Sequence, residues 1–328
     1  MVTRGSTAGG PEVVHVGAAA RDVTPTDARG WRLGGGVTYA ALTTARLGIA
    51  TGAVIGVDEQ ASRAVELDTL RAAGVEVLPV PLEEGPIFEN IERPTGRVQT
   101  CLATGRPLPV PADLPAAWRA AAWSVVPVAG EIEAAWLAAM PATAWLVVGW
   151  QGFLRRLAAG ERVERVPPRA DGWIARADLV GVSQHDLGDE VDLDEASLRH
   201  VSGLLKPGAD LIVTGGAEGG RHVRVAADGT PVVSAYGAVA SGPEVDATGA
   251  GDTFLAALVA SALRADLRAA ASATFDLRFA AAAASLVVED HGLAGVPDLA
   301  AVRARLAVTS DVSRSMPGGG RGPVPHDA

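Results

Sequence analysis

The sequence predicts a three-layer α/β/α sandwich, in which helices cover both faces of a mostly parallel central sheet and a small β lid stands apart from it. Three observations predict this class. Short apolar runs alternate with helical patterns along most of the chain. Hydrophobic residues make up 48% of the sequence and aromatics only 4%, which suits Ala-, Val- and Leu-rich helix-on-sheet packing better than an all-β sandwich. One stretch, Gly85 to Arg106, breaks the rhythm with two strand-like pieces.

The elements follow in order. EVVHVGAA, YAALTTARLG, TGAVIGV, ASRAVELDTLRAAG and VEVLPV read as βαβαβ. The rhythm resumes with AAWSVVPVA, EIEAAWLAAM, AWLVVGW, DLVGVS, EASLRHVSGLLKPG and DLIVTGG, and ends in two long Ala-rich helices after residue 249. Strands buried on both faces carry such continuous apolar runs, and ligands meet a parallel sheet at the carboxyl ends of its strands. In PIFENIERPTGRVQTCLATGR, the turn Pro94-Thr95-Gly96 suggests a hairpin. Arg21 to Leu33 leaves the first strand without starting a helix, so segments of about 18–34 and 85–106 are expected to pair as a lid, although a plain surface excursion would give the same pattern. Gly- and Pro-rich ends, 1–11 and 309–328, read as loose tails around a single domain at 12–308.

Composition narrows the partners. The formal net charge is −10 and no basic run occurs, which argues against nucleic acid. No apolar stretch is long enough to span a bilayer and no leader is visible, so the cytoplasm is expected and a membrane is not. Cys101 is the single cysteine, in keeping with a reducing compartment. Lys206 is the single lysine, and no Gly-rich turn ends in Gly-Lys-Ser/Thr, so bound phosphates would have to be held by backbone amides and arginines.

The strongest chemical signal is Val245-Asp246-Ala247-Thr248-Gly249-Ala250-Gly251-Asp252-Thr253-Phe254, running directly into the apolar helix LAALVASALRA. Gly249 and Gly251 let the amides of residues 249–251 converge at a helix N-terminus, where free N–H groups and the macrodipole favour an anion. An ordinary Gly-rich loop capped by Asp252 would account for the glycines alone. A carboxylate at the mouth of an amide nest also supplies what phosphoryl transfer to a hydroxyl requires, charge stabilisation and a base.

This decapeptide resembles the C-terminal signature of the ribokinase/PfkB carbohydrate kinase family, Asp-Thr-x-Gly-Ala-Gly-Asp, with Ala247 in place of a Thr. Leu33-Gly34-Gly35-Gly36, Ala40-Ala41 and Leu47-Gly48 resemble its N-terminal signature, with Tyr39 where the family usually has Asn. The resemblance implies a ribokinase-like fold and a soluble, magnesium-dependent ATP phosphotransferase. It would act on a hydroxyl of a small polyol, carbohydrate or nucleoside, with Asp252 as base and Gly249, Ala250 and Gly251 as anion nest.

The resemblance further implies that Asp22, Gly35 and Gly36 touch the substrate. Asn90, Arg97 and Gln99 would do so from the lid hairpin, where positions 97 and 99 share a face. Ser183 and Asp186 stand where the family has Asn-x-x-Glu near magnesium, so Asp186 would reach the metal through water. Ser-x-x-Asp is also a capping pattern. Thr214, Gly216, Gly219, Thr248 and Ser285 would face the nucleotide, with adenine between a loop and the Ala-rich helix at 279–285. Glu131, Gln151 and Arg155, at strand ends, resemble a branch that includes myo-inositol kinases, which makes a cyclitol the first acceptor and a nucleoside or ketose the next. Potassium near Asp246 and a homodimer are left open.

Two other classes compete. A non-catalytic sugar-binding pseudokinase is opposed by the intact Asp252 and Gly-Ala-Gly nest. A dinucleotide-dependent oxidoreductase is opposed by the lack of Gly-x-Gly-x-x-Gly after the first strand.

Overall fold

A computed structural model describes residues 9–91, 98–188, 194–269, 272 and 274–315. The chain begins with β1 (Val13–Ala18), β2 (Ala20–Val23), β3 (Trp31–Gly34), α1 (Gly36–Arg46), β4 (Thr51–Val57), α2 (Val65–Ala72) and β5 (Glu76–Pro81). It continues with β6 (Pro86–Ile91), β7 (Val98–Thr104), β8 (Ala122–Val125), α3 (Ala135–Ala139), β9 (Trp145–Gly149), β10 (Arg155–Arg156), β11 (Glu161–Arg162) and β12 (Glu164–Arg165). Next come α4 (Gly172–Arg176), β13 (Leu179–Ser183), α5 (Gln184–Leu187), α6 (Glu195–Ser202), β14 (Asp210–Thr214), β15 (Gly220–Val225) and β16 (Pro231–Tyr236). Three helices close it: α7 (Ala250–Leu263), α8 (Leu277–Val287) and α9 (Leu299–Ser315).

The central sheet has the order β16-β15-β14-β13-β9-β8-β1-β4-β5. Pairing is parallel from β14 across to β5, and β15 and β16 add an antiparallel edge. Every residue of β1 and β4 is buried, as apolar strands under two helical layers must be. On one face Leu42, Leu67, Phe254, Leu258, Ala282 and Val302 pack one core, drawn from α1, α2, α7, α8 and α9. On the other, Trp136, Trp173, Ile174, Leu198 and Val201 pack a second from α3, α4 and α6. The three-layer sandwich is the architecture observed.

A separate five-stranded sheet has the order β11-β7-β6-β2-β3. Its registers set Asp22 beside Phe88, Phe88 beside Cys101 and Asn90 beside Gln99. Alternation along strands therefore puts Asp22, Phe88, Asn90, Gln99 and Cys101 on one face. Phe88, Cys101 and Ala20 are buried there against Val128, so this face looks onto the main body. The hairpin and its pairing with the segment after β1 are as expected, whereas β11 is an addition.

The tail expected from residue 309 starts as helix, because α9 continues to Ser315. Nothing in TSDVSRS breaks a helix already docked through Val302, and the first proline lies beyond it at 317. At the other end Pro11 is buried and Glu12 N–H donates to Ala50 O at 2.7 Å, so the chain is tied down from there. The remaining tail residues, 1–8 and 316–328, and the turn Pro94-Thr95-Gly96 lie outside the described residues.

Candidate functional site

Two helix N-termini meet beside the carboxyl ends of the central strands, and glycines allow it. Gly249 caps α7 in the left-handed conformation, φ 81°, and a Cβ there would stand 2.2 Å from the Tyr39 ring. Gly251 is not left-handed, and a Cβ on it would meet nothing within 4 Å. The left-handed residue of the nest is thus Gly249, while Gly251 keeps the approach open. Asp252 lies in the first turn of α7 and does not cap it, so its carboxylate is available to the site.

The triple glycine before α1 brings two carboxylates in. A Cβ on Gly36 would stand 2.7 Å from Asp252 Oδ1, and one on Gly34 would be 2.0 Å from Asp22 Oδ2. Gly35, φ 98°, would press on Ala18 O at 2.6 Å. The sequence expectation for Asp22, Gly35, Gly36 and Asp252 corresponds to one constellation.

Arg155 is the cation at its centre. Its side chain is only 9% exposed; Nη1 donates to Val128 O at 3.4 Å and Nη2 lies 3.7 Å from Asp186 Oδ1. Its Cζ sits 6.0 Å from the centroid of the Phe88 ring on the lid. Burial lowers the Arg155 pKa, opposed by Asp186, Asp252 and Asp22. Burial pushes Asp252 up to about 6, with Arg155 pulling it down and Asp186 adding to the rise. Gln151 Nε2 donates to Asp186 Oδ2 at 3.3 Å.

The residues expected to face a nucleotide come from several elements. Ser183 and Thr214 are register partners at the ends of β13 and β14. Ser183 Oγ accepts from His185 N–H at 3.2 Å, which is the capping role, and Asp186 turns away to Gln151 and Arg155. Gly216 and Gly219 have φ 60° and 87°, and a Cβ on Gly219 would collide with Tyr236 O. Thr248 N–H donates to Asp246 Oδ1 at 2.9 Å.

Other expected residues sit differently. Glu131 is buried and accepts from the amides of Ala18 (2.8 Å), Ala129 (2.8 Å) and Val128 (3.1 Å). That carboxylate fastens the end of β1 to the loop after β8 and is spent on backbone, not held out to a ligand. Ser285 Oγ donates to Ala282 O and accepts from Arg305 Nη1, both at 2.9 Å, which occupies it within the helical layer. Gln99 Nε2 donates to Asn90 Oδ1 at 2.9 Å across the hairpin. Arg97 lies outside the described residues.

One residue that the sequence reading missed is Arg32 on β3. Its Nη1 donates to Asp246 Oδ2 at 3.3 Å, and Gly292 N–H donates to the same oxygen at 3.4 Å. This ties the lid sheet to the start of the nest. A guanidinium therefore stands beside the carboxylate at which a potassium ion would have to sit.

Among the described residues, no group of three or more His, Cys, Asp or Glu could hold a metal ion by itself. Asp186, whose two oxygens face Gln151 and Arg155, would reach magnesium through water, which this ion tends to retain.

These features define a class, an open α/β protein with a glycine turn at a helix N-terminus, a half-buried carboxylate beside it and a small β-sheet set apart from the main one. The fold is ribokinase-like, and residues 162–299 match the family described as pfkB family carbohydrate kinase. Solved structures share the fold over nearly the whole chain. A pyrophosphate-dependent kinase in the ribokinase family, complexed with a pyrophosphate analog and myo-inositol, is 19% identical with a TM-score of 0.64, covering 90% of this chain and 99% of that one. Arabidopsis thaliana ribokinase complexed with ribose and ATP is 20% identical with a TM-score of 0.66, covering 90% and 99%. Methanocaldococcus jannaschii nucleoside kinase is 16% identical with a TM-score of 0.62, covering 92% and 100%. No curated protein matched the sequence.

Proposed function

We propose that this protein transfers a phosphoryl group from magnesium-bound ATP to a hydroxyl of a small polyol, with a cyclitol such as myo-inositol first among acceptors. The observation that carries the reading is Asp252, a half-buried carboxylate whose pKa desolvation raises to about 6, set between the Gly36 turn and the amide nest of 249–251. Asp22 and the lid face with Asn90 and Gln99 supply polar groups for a ring of hydroxyls. The family match over 162–299 and a neighbour holding myo-inositol support the same reading.

The acceptor hydroxyl gives its proton to Asp252 as its oxygen bonds to the γ-phosphorus. The bond from that phosphorus to the bridging oxygen breaks, and the electron pair leaves on ADP. The amides of 249–251 meet the developing negative charge, a contribution that preorganised donors make without reorganisation. Bound magnesium would neutralise the donor phosphates, with Asp186 reaching it through water. A cytoplasmic setting and action without nucleic acid or membrane belong to this reading, and a homodimer is compatible with it.

A second donor is favoured by one contact. Arg305 Nη1 donates to Ser285 Oγ and to Ala240 O, each at 2.9 Å, so those atoms lie no more than twice that distance apart. A base stacked between helix and loop needs about 7 Å, two contact distances. Inorganic pyrophosphate has no base to accommodate, and two neighbours are pyrophosphate-dependent kinases.

One screen tests both: ATP and pyrophosphate, each with polyols, hexoses and nucleosides, with phosphoester product measured directly. Product from ATP and a cyclitol supports the first reading. Product from pyrophosphate alone selects the second donor, and no product from any pair rejects the kinase reading.

A further inference from the structure

We propose that Arg155 is a catalytic residue of this site, whose guanidinium grips the phosphoryl group during transfer; the inference rests on the kinase reading above. Its position is the first argument. It stands among Asp252, Asp186 and Asp22, the base, the donor-side carboxylate and the acceptor-side carboxylate, and beneath Phe88 of the lid.

Its hydrogen bonding is the second argument. A guanidinium carries five N–H donors, and charge-assisted bonds run at about 2.7–2.9 Å. Arg155 makes contacts at 3.4 and 3.7 Å, both longer than a well-formed bond. A cation so far from water, held by partners only at those lengths, is costly to keep. A phosphoryl group arriving between base and Asp186 would supply the missing acceptors, its equatorial oxygens taking the unspent N–H groups.

Charge is the third argument. The phosphoryl transfer written above places negative charge among three carboxylates, and it needs a cation close by. Lys206 cannot serve, since Nζ is bonded to Arg176 O and Asp178 at the opposite, amino-terminal end of β13.

Two plainer roles are separable: Arg155 could merely keep Asp252 ionised, or merely prop Asp186. The test compares Arg155→Met, Arg155→Lys and Arg155→Ala with the wild type. In alkaline buffer Asp252 is ionised in every variant, so base tuning no longer matters there. Arg155→Met is expected to retain a kcat loss of about a thousandfold under those conditions, the scale of arginine contacts to transferring phosphoryl groups. Arg155→Lys, which keeps the charge and loses the fork, should fold and still lose most of the rate. Added guanidinium should restore turnover of Arg155→Ala in a saturable way. A Met-variant loss that vanishes in alkaline buffer, a defect confined to KM, a fully active Lys variant or absent rescue would each overturn the assignment. Wild-type inactivity across the donor and acceptor screen would instead remove the kinase reading on which it rests.

Discussion

A half-buried carboxylate proposed as the base carries consequences at the scale of one residue. Because burial lifts Asp252 to about 6, kcat/KM should rise with pH through about 6 and level off above it, as Asp252 loses its proton. Asp252→Asn should fold, bind donor and lose about two to four powers of ten in turnover, the range of a positioned base. Its stability should move the other way. A raised folded-state pKa gives stability that is full below the ordinary value of 3.8 and lost as pH rises through about 6. The Asn variant should therefore melt higher than the wild type at neutral pH, and the difference should vanish in strong acid; melting curves across pH check both signs. The neighbouring glycines separate in kind. Gly251→Val meets open space and should keep its melting temperature while losing turnover, whereas Gly249→Ala meets the Tyr39 ring and a left-handed backbone and should lose both.

At the scale of elements, the lid sheet and the nest are joined through Arg32 and Asp246. Asp246 already shares its oxygens among a guanidinium and the amides of Thr248 and Gly292. Potassium, sodium and choline chloride are thus expected to support equal turnover at equal ionic strength. Arg32→Ala should create a preference for potassium by vacating the cation position. The lid hairpin should slow its hydrogen exchange over 86–91 and 98–104 when acceptor and donor analogue bind together. Asn90→Ala and Gln99→Ala should raise the acceptor KM by about tenfold, the scale of one neutral hydrogen bond each, and leave the donor KM alone.

The elements also show what a sequence makes legible. Asp252 and its nest lie within ten consecutive residues and the strands are long apolar runs, so periodicity and spacing expose them. The Arg32–Asp246 pair spans 214 positions, and no local pattern announces it. β11 is two exposed charged residues, Glu161–Arg162, without alternation to read. Glu131 sits at a strand end, where ligands bind, but its carboxylate is satisfied by three amides that only the folded loop brings together. The charge of Arg155 was visible at its strand end; its central place among three aspartates was not.

For the whole molecule, the site draws on α1, α7, the strand ends and the lid together, so ligands should stabilise the fold cooperatively. A donor analogue at a hundred times its dissociation constant adds about 2.7 kcal/mol if it binds only the native state. Donor analogue and acceptor together should raise the melting temperature by more than the sum of their separate shifts, since both bear on the lid; equal sums in thermal scans would uncouple them. The solitary Lys206 has a practical corollary on the same scale. Its side chain is about a third exposed and lies where β13 and β14 begin, while the groups proposed for catalysis gather where those strands end. Apart from the amino terminus, amine-reactive chemistry therefore has one handle on this protein, and a surface or dye coupled through it would leave the mouth of the active site pointing outward.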